Sequence, residues 1–478
     1  MQLNELNTKV EKKVEEFKSN FDLVNFEKQL KNVIEEFQKG VIQEAIECVL
    51  KDKEFIKQIC VLAGLMDLTY EGKRPVTITV LNGQKITVKS PYFYKRIKKN
   101  KQGRPKDGRK KGNYLECHLG LSYMGFIQTY SMNIVDEICK MAILCPSIEM
   151  ARKLLEDSGV LIDEKTIRRI VRDVGIIGLS NRGCVSVDAS ELTEDKTLVI
   201  GIDGGRLRER KKKRGKKKEG QKRQGYTTDW KEPKLFTIYL ADDKGKAIKE
   251  IDPFYDATMY GKEAIFEILE TYLRAINIEG VKRIVFCGDG APWIWIRIER
   301  LIAEHLKDFT VYQVLDYTHA VQGLGEIFEL LPQKNKQYNK LWNEAKRLLW
   351  EGETDQLKEL IINSFSGRKK LKAALKKWGN YFDLNRNRMT YSIFKQEGIP
   401  CGSGSVESAI RRVINLRLKS AGSFWTKEMA EIFLFLRSQL ISGRWNIFWK
   451  NLRERISMKN CVNKGLEIKT NYRYDNAA

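Results

Sequence analysis

The chain has 478 residues, 42% hydrophobic and 31% charged, which is enough apolar material for roughly two to four domains with real cores and excludes wholesale disorder. No stretch approaches the uncharged apolar length of a membrane span, and the start, MQLNELNTKVEKKVEEF, alternates charge with apolar positions where a secretory leader carries a continuous apolar run. The 86 Lys and Arg against 62 Asp and Glu leave +24, a charge that fits a polyanionic partner, nucleic acid first, and no membrane.

Residues 1–66 read as a helical module, because Val10, Val14, Phe17 and then Ile34, Phe37, Val41, Ile42 and Ala45 recur at three and four. Over 67–119 the period changes to two: Val76, Ile78 and Val80 alternate, Asn82-Gly83 supplies a hairpin turn, and Ile86 and Val88 alternate on the return. A basic run follows, with ten Lys/Arg and only Asp107 across 95–111. Residues 120–180 are helical again, and SIEMARKLLEDSGVLIDEKTIRRIVRDVG reads as helix, Gly-containing turn, helix. Thr166, Arg168, Arg169 and Arg172 fall on its second helix; it is either a DNA-reading helix or one arm of an ordinary helical hairpin.

A composition shift near 180–195 suits a linker. The segment 195–320 then runs KTLVIGIDGG, KLFTIYLADD, KAIKEIDPFYDAT, an amphipathic helix, KRIVFCGDGA, a second helix over WIWIRIERLIAEHL, and DFTVYQVLDYTHA. The order β-β-β-α-β-α-β describes an RNase H-like mixed sheet, since a dinucleotide fold would begin β-α-β with a Gly-rich first turn. Residues 204–233 break into it with thirteen Lys/Arg against four acids. Arg206, Lys211, Lys212, Lys213 and Arg214 lie in that insert, whose Lys- and Gly-rich sequence is expected to contact phosphates rather than read bases. A strandless stretch, 321–398, reads as a helical insertion; 399–456 is helical; 457–478 is a tail. The expected class is thus multidomain α+β, with helical DNA-binding modules ahead of an RNase H-like sheet.

Three acidic residues stand where chemistry could use them. Asp203 ends VIGID and Asp289 ends RIVFCGD, each where a buried apolar strand stops at a rigid edge; an Asp beside glycine is also a common turn residue. Glu407, in GSGSVES, falls in the first turn of a helix that Ser403 or Ser405 could cap, where a carboxylate is favoured by the helix dipole or as a capping-box member. On the same segment Arg411, Arg412, Arg417 and Lys419 are candidates for phosphate contacts, and Trp425 for base stacking. Trp293 and Trp295 are expected in the core. Of the three histidines, His305 reads as a bystander, and His319 as either a DNA contact or a support for a strand end. Nine cysteines without a CxxC pair read as reduced cytosolic thiols, and Cys117-His118 alone does not make a zinc site.

The set VIGIDGGR, FCGDGAPWIW, VLDYTHA and GSGSVESAIRRVINLRLKSAGSFWT, with the later LRSQLISGRWNIFW, resembles bacterial insertion-sequence transposases of the ISLre/ISKra type over most of 195–450. The resemblance implies a DDE transposase with Asp203, Asp289 and Glu407 as catalytic and metal-binding triad. Asp316 in LDYTHA also ends a strand, so a triad of Asp203, Asp316 and Glu407 stays open. It further implies two Mg²⁺ ions, with Mn²⁺ as substitute, that clamp both sides of an in-line displacement at phosphorus. Its partners would be double-stranded DNA, both element ends and target, bound by a homo-oligomer in the cytoplasm at the nucleoid. A structure-selective nuclease on the same sheet that does not join strands, and a non-enzymatic DNA-binding regulator, are the other readings.

Overall fold

The structure, a computed structural model, describes residues 3–96, 114–180, 182, 194–213, 215, 225–276, 278–331, 337–365 and 367–456. Most of the basic run 95–111, most of the expected linker at 180–195, Arg214 and the tail 457–478 lie outside them. Contacts divide the chain into two units, Met1–Val171 with Trp449–Ala478, and Arg172–Phe448.

In the first unit three helices, Leu3–Asn20, Leu23–Lys51 and Lys53–Leu65, are punctuated by aspartates. Asp22 accepts from the Asn25 N–H and Asp52 from the Phe55 N–H, so each satisfies an amide that a new helix leaves unpaired. Strands β1 (Thr69–Thr79) and β2 (Lys85–Arg96) form the expected hairpin, with Asn82 and Gly83 at φ 58° and 71°; β3 (Tyr114–Cys117), which the sequence pattern did not announce, adds antiparallel to β2. Gly83 has no substitute, because a Cβ there would lie 2.2 Å from the Gly159 carbonyl oxygen. The helical module and the hairpin, expected as separate segments, share a core: Leu50 packs with Ile78, Val80, Ile86, Val88, Leu121 and Phe126, and Ile59 and Leu62 pack with Phe93 and Leu119. Neither the helices nor one side of a three-stranded sheet could bury its apolar face alone. The helices Ile148–Asp157 and Glu164–Leu179 occupy the expected helix-turn-helix segment, the second buried through Ile167, Ile170, Val171 and Val174.

The second unit is built on a mixed five-stranded sheet. Its strands are β4 (Thr197–Gly204), β7 (Lys234–Ala241), β8 (Phe254–Thr258), β9 (Arg283–Gly288) and β10 (Val311–Leu315), in the order β10-β9-β4-β7-β8. β4 lies between β9, parallel to it, and β7, antiparallel; β10 continues parallel beyond β9. Between β4 and β7 the chain leaves as a separate two-stranded ribbon, β5 (Leu207–Lys212) and β6 (Tyr226–Lys231). The third sheet strand is shorter than KAIKEIDPFYDAT led one to expect, beginning only after Pro253, which has no N–H to give a ladder. Helices Lys262–Ile276 and Pro292–His305 make the crossovers, burying Leu269 and Tyr272, and Ile294, Trp295 and Ile298. The described residues of 321–398 form helices and no strand, and Leu324, Phe328, Leu349, Trp378 and Tyr391 belong to the same apolar core as the sheet.

One buried ionic node ties the sheet edge to the helix Lys427–Ile441. The Arg182 guanidinium donates to both oxygens of Asp256 at 2.8 Å, to Glu431 at 2.7 Å and to the Ala257 carbonyl at 2.7 Å. Glu431 also accepts from the Thr258 hydroxyl and the Met259 N–H, and Asp256 from Tyr272. Removing the cation leaves two buried carboxylates uncompensated, so Arg182→Ala is expected to cost about 3–5 kcal/mol. Chemical denaturation should show the midpoint falling without a change in slope.

Candidate active site

Asp203 and Asp289 are brought together by strand register. β4 and β9 run parallel with Ile202 opposite Gly288, so the next residue on each strand, an aspartate in both cases, stands at the same end of the sheet beside the other. Asp203 is half-buried and accepts from the Gly204 N–H at 2.6 Å. Burial pushes its carboxyl up to about 6; the Asp289 charge adds to that, while the Gly204 N–H, His319 and Lys234 oppose it. Asp289 accepts from the Ala291 N–H at 2.9 Å, and its own carbonyl accepts from the Trp295 indole N–H at 2.9 Å.

Asp316 lies one strand further out, just past β10, and only 1% exposed. One oxygen accepts from the His319 N–H at 2.7 Å and pairs with His319 Nδ1 at 3.0 Å; the other accepts from the Ser403 N–H. Burial works against its charge, but these hydrogen bonds outweigh it and hold the carboxyl below the usual range. His319 is pushed the other way. The bond to Asp316, and the charges of Asp316, Asp289 and Asp203, raise its imidazole against a smaller opposing effect of burial.

Glu407 sits in the first turn of the helix Gly404–Ile410, exposed, with the Ser403 hydroxyl 3.4 Å from its Oε1. The preceding Val406 faces the sheet, since a Cβ on Gly201 would lie 3.1 Å from the Val406 Cβ, and the helix therefore turns Glu407 outward. Among the described residues no three His, Cys, Asp or Glu side chains converge closely enough to hold a metal ion. Glu407 thus does not close on Asp203 and Asp289 here; it is connected to their surroundings through Ser403, which bonds Asp316 with its amide and Glu407 with its hydroxyl.

The basic and aromatic candidates separate into exposed and interior groups. Arg206, Lys211, Lys212, Lys213, Arg411 and Lys419 are exposed, Lys211 lying 3.8 Å from Glu209. Arg412 is half-buried and donates to the Tyr255 hydroxyl. Arg417 and Trp425, expected at a DNA surface, are interior: Arg417 is 3% exposed with its guanidinium over the Trp425 and Phe433 rings, and Trp425 is 9% exposed with its indole N–H on the Leu418 carbonyl. An aromatic wall shields that cation, so neither is free to meet phosphate or base. Arg168 and Arg169 are exposed on the first unit's helix, Arg168 paired with Glu164 at 2.7 Å, and Arg172, in the second unit, pairs with Glu428 at 2.6 Å. Trp295 is core as expected, and Trp293 is half-buried under the Lys234 ammonium.

Two residues of the site escaped the sequence reading. Lys234 opens β7 opposite Gly204, 9% exposed, its charge felt at Asp203; a lysine at the start of the apolar strand LFTIYLA was a signal that could have been used. Tyr381 comes from the helical insertion, and its ring lies against Gly290, where a Cβ would meet it at 2.1 Å. Its buried hydroxyl has no hydrogen-bond partner among the described residues. Nothing local in the sequence marks it.

No protein-family description matches the chain, and no curated protein matches it. Among solved structures it is similar to the Drosophila P element transposase strand transfer complex, over 72% of this chain and 87% of that one, at 11% identity and a TM-score of 0.26. A superposition that loose bears on neither fold nor function.

The electrostatics give two measurable outcomes. Because the folded-state pKa of Asp203 is raised from 3.8 to about 6, its ionised form costs stability; the cost is absent below pH 4 and complete above 6. In chelator-treated buffer Asp203→Asn should therefore raise the melting temperature at pH 8, by at most about 3 kcal/mol of stability, and leave it unchanged at pH 4. The chain has three histidines, so imidazole NMR titration can resolve His319, which should titrate above the usual value of about 6.5 and drop on Asp316→Asn. An unmoved titration would mean that the Asp316 contact does not form in solution.

Proposed function

We propose that the second unit is a DDE-type transposase on an RNase H-like sheet, which cuts phosphodiester bonds at element ends and joins 3′-OH ends to target DNA. The observation that carries the reading is the parallel register of β4 and β9, Ile202 opposite Gly288, which brings Asp203 and Asp289 to the same end of neighbouring strands in a chain of net charge +24. The strand order, with the first strand central, the second antiparallel and the last two parallel to the first, supports the RNase H-like reading of the sheet.

Two carboxylates whose charges repel in a half-buried corner are a donor set that a hard divalent cation satisfies. Asp203 and Asp289 would hold Mg²⁺, or Mn²⁺ in its place, which would supply Lewis-acid activation of the attacking oxygen. A second ion and the third ligand position of Glu407 rest on the transposase resemblance alone. Asp289 is preferred to Asp316 because both Asp316 oxygens are already engaged and β9, not β10, borders β4. Asp316 acts instead as a positioning residue that orients His319 and raises its imidazole pKa. His319 and Lys234, the latter also paired with Glu232 at 2.9 Å, partly offset the Asp203 charge, and His319 would offer positive charge to a phosphate drawn up to it. Exposed Arg411 and Lys419 would hold flanking phosphates, with the DNA taken up as duplex by a homo-oligomer.

Purified protein with DNA carrying the ends of its element should nick only with Mg²⁺ or Mn²⁺. Asp203→Asn and Asp289→Asn should each lower nicking by roughly a hundredfold or more while gel-shift binding persists, since a lost metal ligand removes several kcal/mol of transition-state stabilisation. Undiminished cleavage by Asp203→Asn would end the metal-site assignment. A strand-transfer assay with precut 3′-OH ends and a plasmid target separates a transposase from a nuclease that uses the same carboxylates.

A further inference from the structure

The ribbon β5–β6 leaves the sheet directly after Asp203 and returns directly before Lys234, so it extends from the end of the β4–β7 pair where the carboxylates stand. Its cross-strand pairs are Arg208 with Trp230, Arg210 with Thr228 and Lys212 with Tyr226 on one side, and Leu207 with Lys231, Glu209 with Asp229 and Lys211 with Thr227 on the other. Period-two alternation thus sorts the charges. On the second side the acids neutralise the bases, Lys211 lying 3.8 Å from Glu209 and Lys231 2.8 Å from Asp229, and Leu207 and Glu209 are buried. The first side carries three cations, two aromatic rings and no acid.

We propose that this first side binds unpaired nucleotides of a DNA strand, with Trp230 as the stacking platform. Trp230 is 50% exposed and Tyr226 46%, so both rings are open to a partner on this face. The Arg208 guanidinium lies 4.9 Å from the Trp230 ring centre and 5.6 Å from that of Phe424, and Phe424 packs on Tyr226 at 5.6 Å. Arg208, Arg210 and Lys212 recur every second residue, about 7 Å apart, as a row of cations along the same face. Rings interleaved with cations match a single strand, whose bases offer free faces and whose backbone offers phosphates; a duplex keeps its base faces stacked internally.

The ribbon is also held in place. The Arg210 N–H donates to the Trp425 carbonyl at 2.8 Å and the Trp425 N–H to the Arg208 carbonyl at 3.0 Å, so the segment around Trp425 pairs with β5 like a third strand. Trp425 anchors the ribbon from the interior and Trp230 faces outward. A strand on this face would run toward Asp203, five residues before Arg208. The inference shares a nucleic-acid partner with the proposed function and requires no cleavage.

The test uses the full chain and two fluorescein-labelled probes, a short oligo(dT) and a mixed-sequence duplex of equal length, titrated by fluorescence anisotropy without divalent metal. Trp230→Ala should weaken oligo(dT) binding roughly tenfold and duplex binding less than twofold, and Trp230→Phe should retain most of the oligo(dT) affinity. Arg208→Gln should weaken both probes and lower the salt slope for each. Unchanged oligo(dT) binding by Trp230→Ala, or equal losses on both probes, would overturn the stacking assignment and leave the proposed function standing. Failure of the parent protein to bind either probe would overturn both.

Discussion

The parallel register of β4 against β9 is the constraint on which the candidate site depends. β4 is hydrogen-bonded along both edges and buried through Ile202, so the backbone that carries Asp203 has no freedom to relax away from Asp289. Two carboxylates fixed side by side at the rim of an apolar sheet must either share a cation, hold a proton or borrow positive charge from nearby. The chain supplies the last through His319 and Lys234, and neither suffices to return Asp203 to an ordinary pKa. Asp203 therefore carries its negative charge at a cost to the stability of the fold.

The ionic node at Arg182 shows the contrast. There Asp256 and Glu431 are at least as deeply buried, yet a bidentate guanidinium and the surrounding hydroxyl and amide donors meet them fully, so the node fastens a helix to the sheet edge and has no unmet demand. At Asp203 and Asp289 the local donors are one backbone amide each, from Gly204 and Ala291. Charge alone would not tell the two clusters apart; the hydrogen-bond inventory does.

Much of this was legible in the sequence because it is written in periodicity. The strand order through VIGID, LFTIYLA and RIVFCGD follows from apolar runs of strand length separated by helical patterns, and Asn82-Gly83 marks a hairpin whose positive φ values few residue pairs accept. Placing Asp203 and Asp289 together needed only the inference that their strands are neighbours. Long-range contacts had no such signal. Tyr381 reaches Gly290, next to Asp289, from a helix some ninety residues on, β3 joins its sheet from beyond the basic run, and the burial of Trp425 depends on Arg417, Leu418 and Phe433 closing round it. Local sequence showed an aromatic near basic residues at Trp425 and an aromatic in a strand-like run at Trp230; only the packing says which ring faces out.

The hydrogen-bond path from Glu407 through Ser403 to Asp316 and His319 bears on how a third carboxylate could matter without touching the first two. Ser403 is buried, its amide bonding Asp316 and its hydroxyl lying 3.4 Å from the Glu407 Oε1, so Asp316 is tied to the start of the helix Gly404–Ile410. Asp316 fixes the His319 ring through both its amide and Nδ1, and His319 is one of the two cations that offset Asp203. Movement at Glu407 is therefore coupled to the charge balance at Asp203 by bonds that exist in this conformation. The Asp203 and Asp289 charges also raise the His319 imidazole, so the same ring links the two aspartates to Asp316 and, through the Ser403 amide, to the start of the helix that carries Glu407.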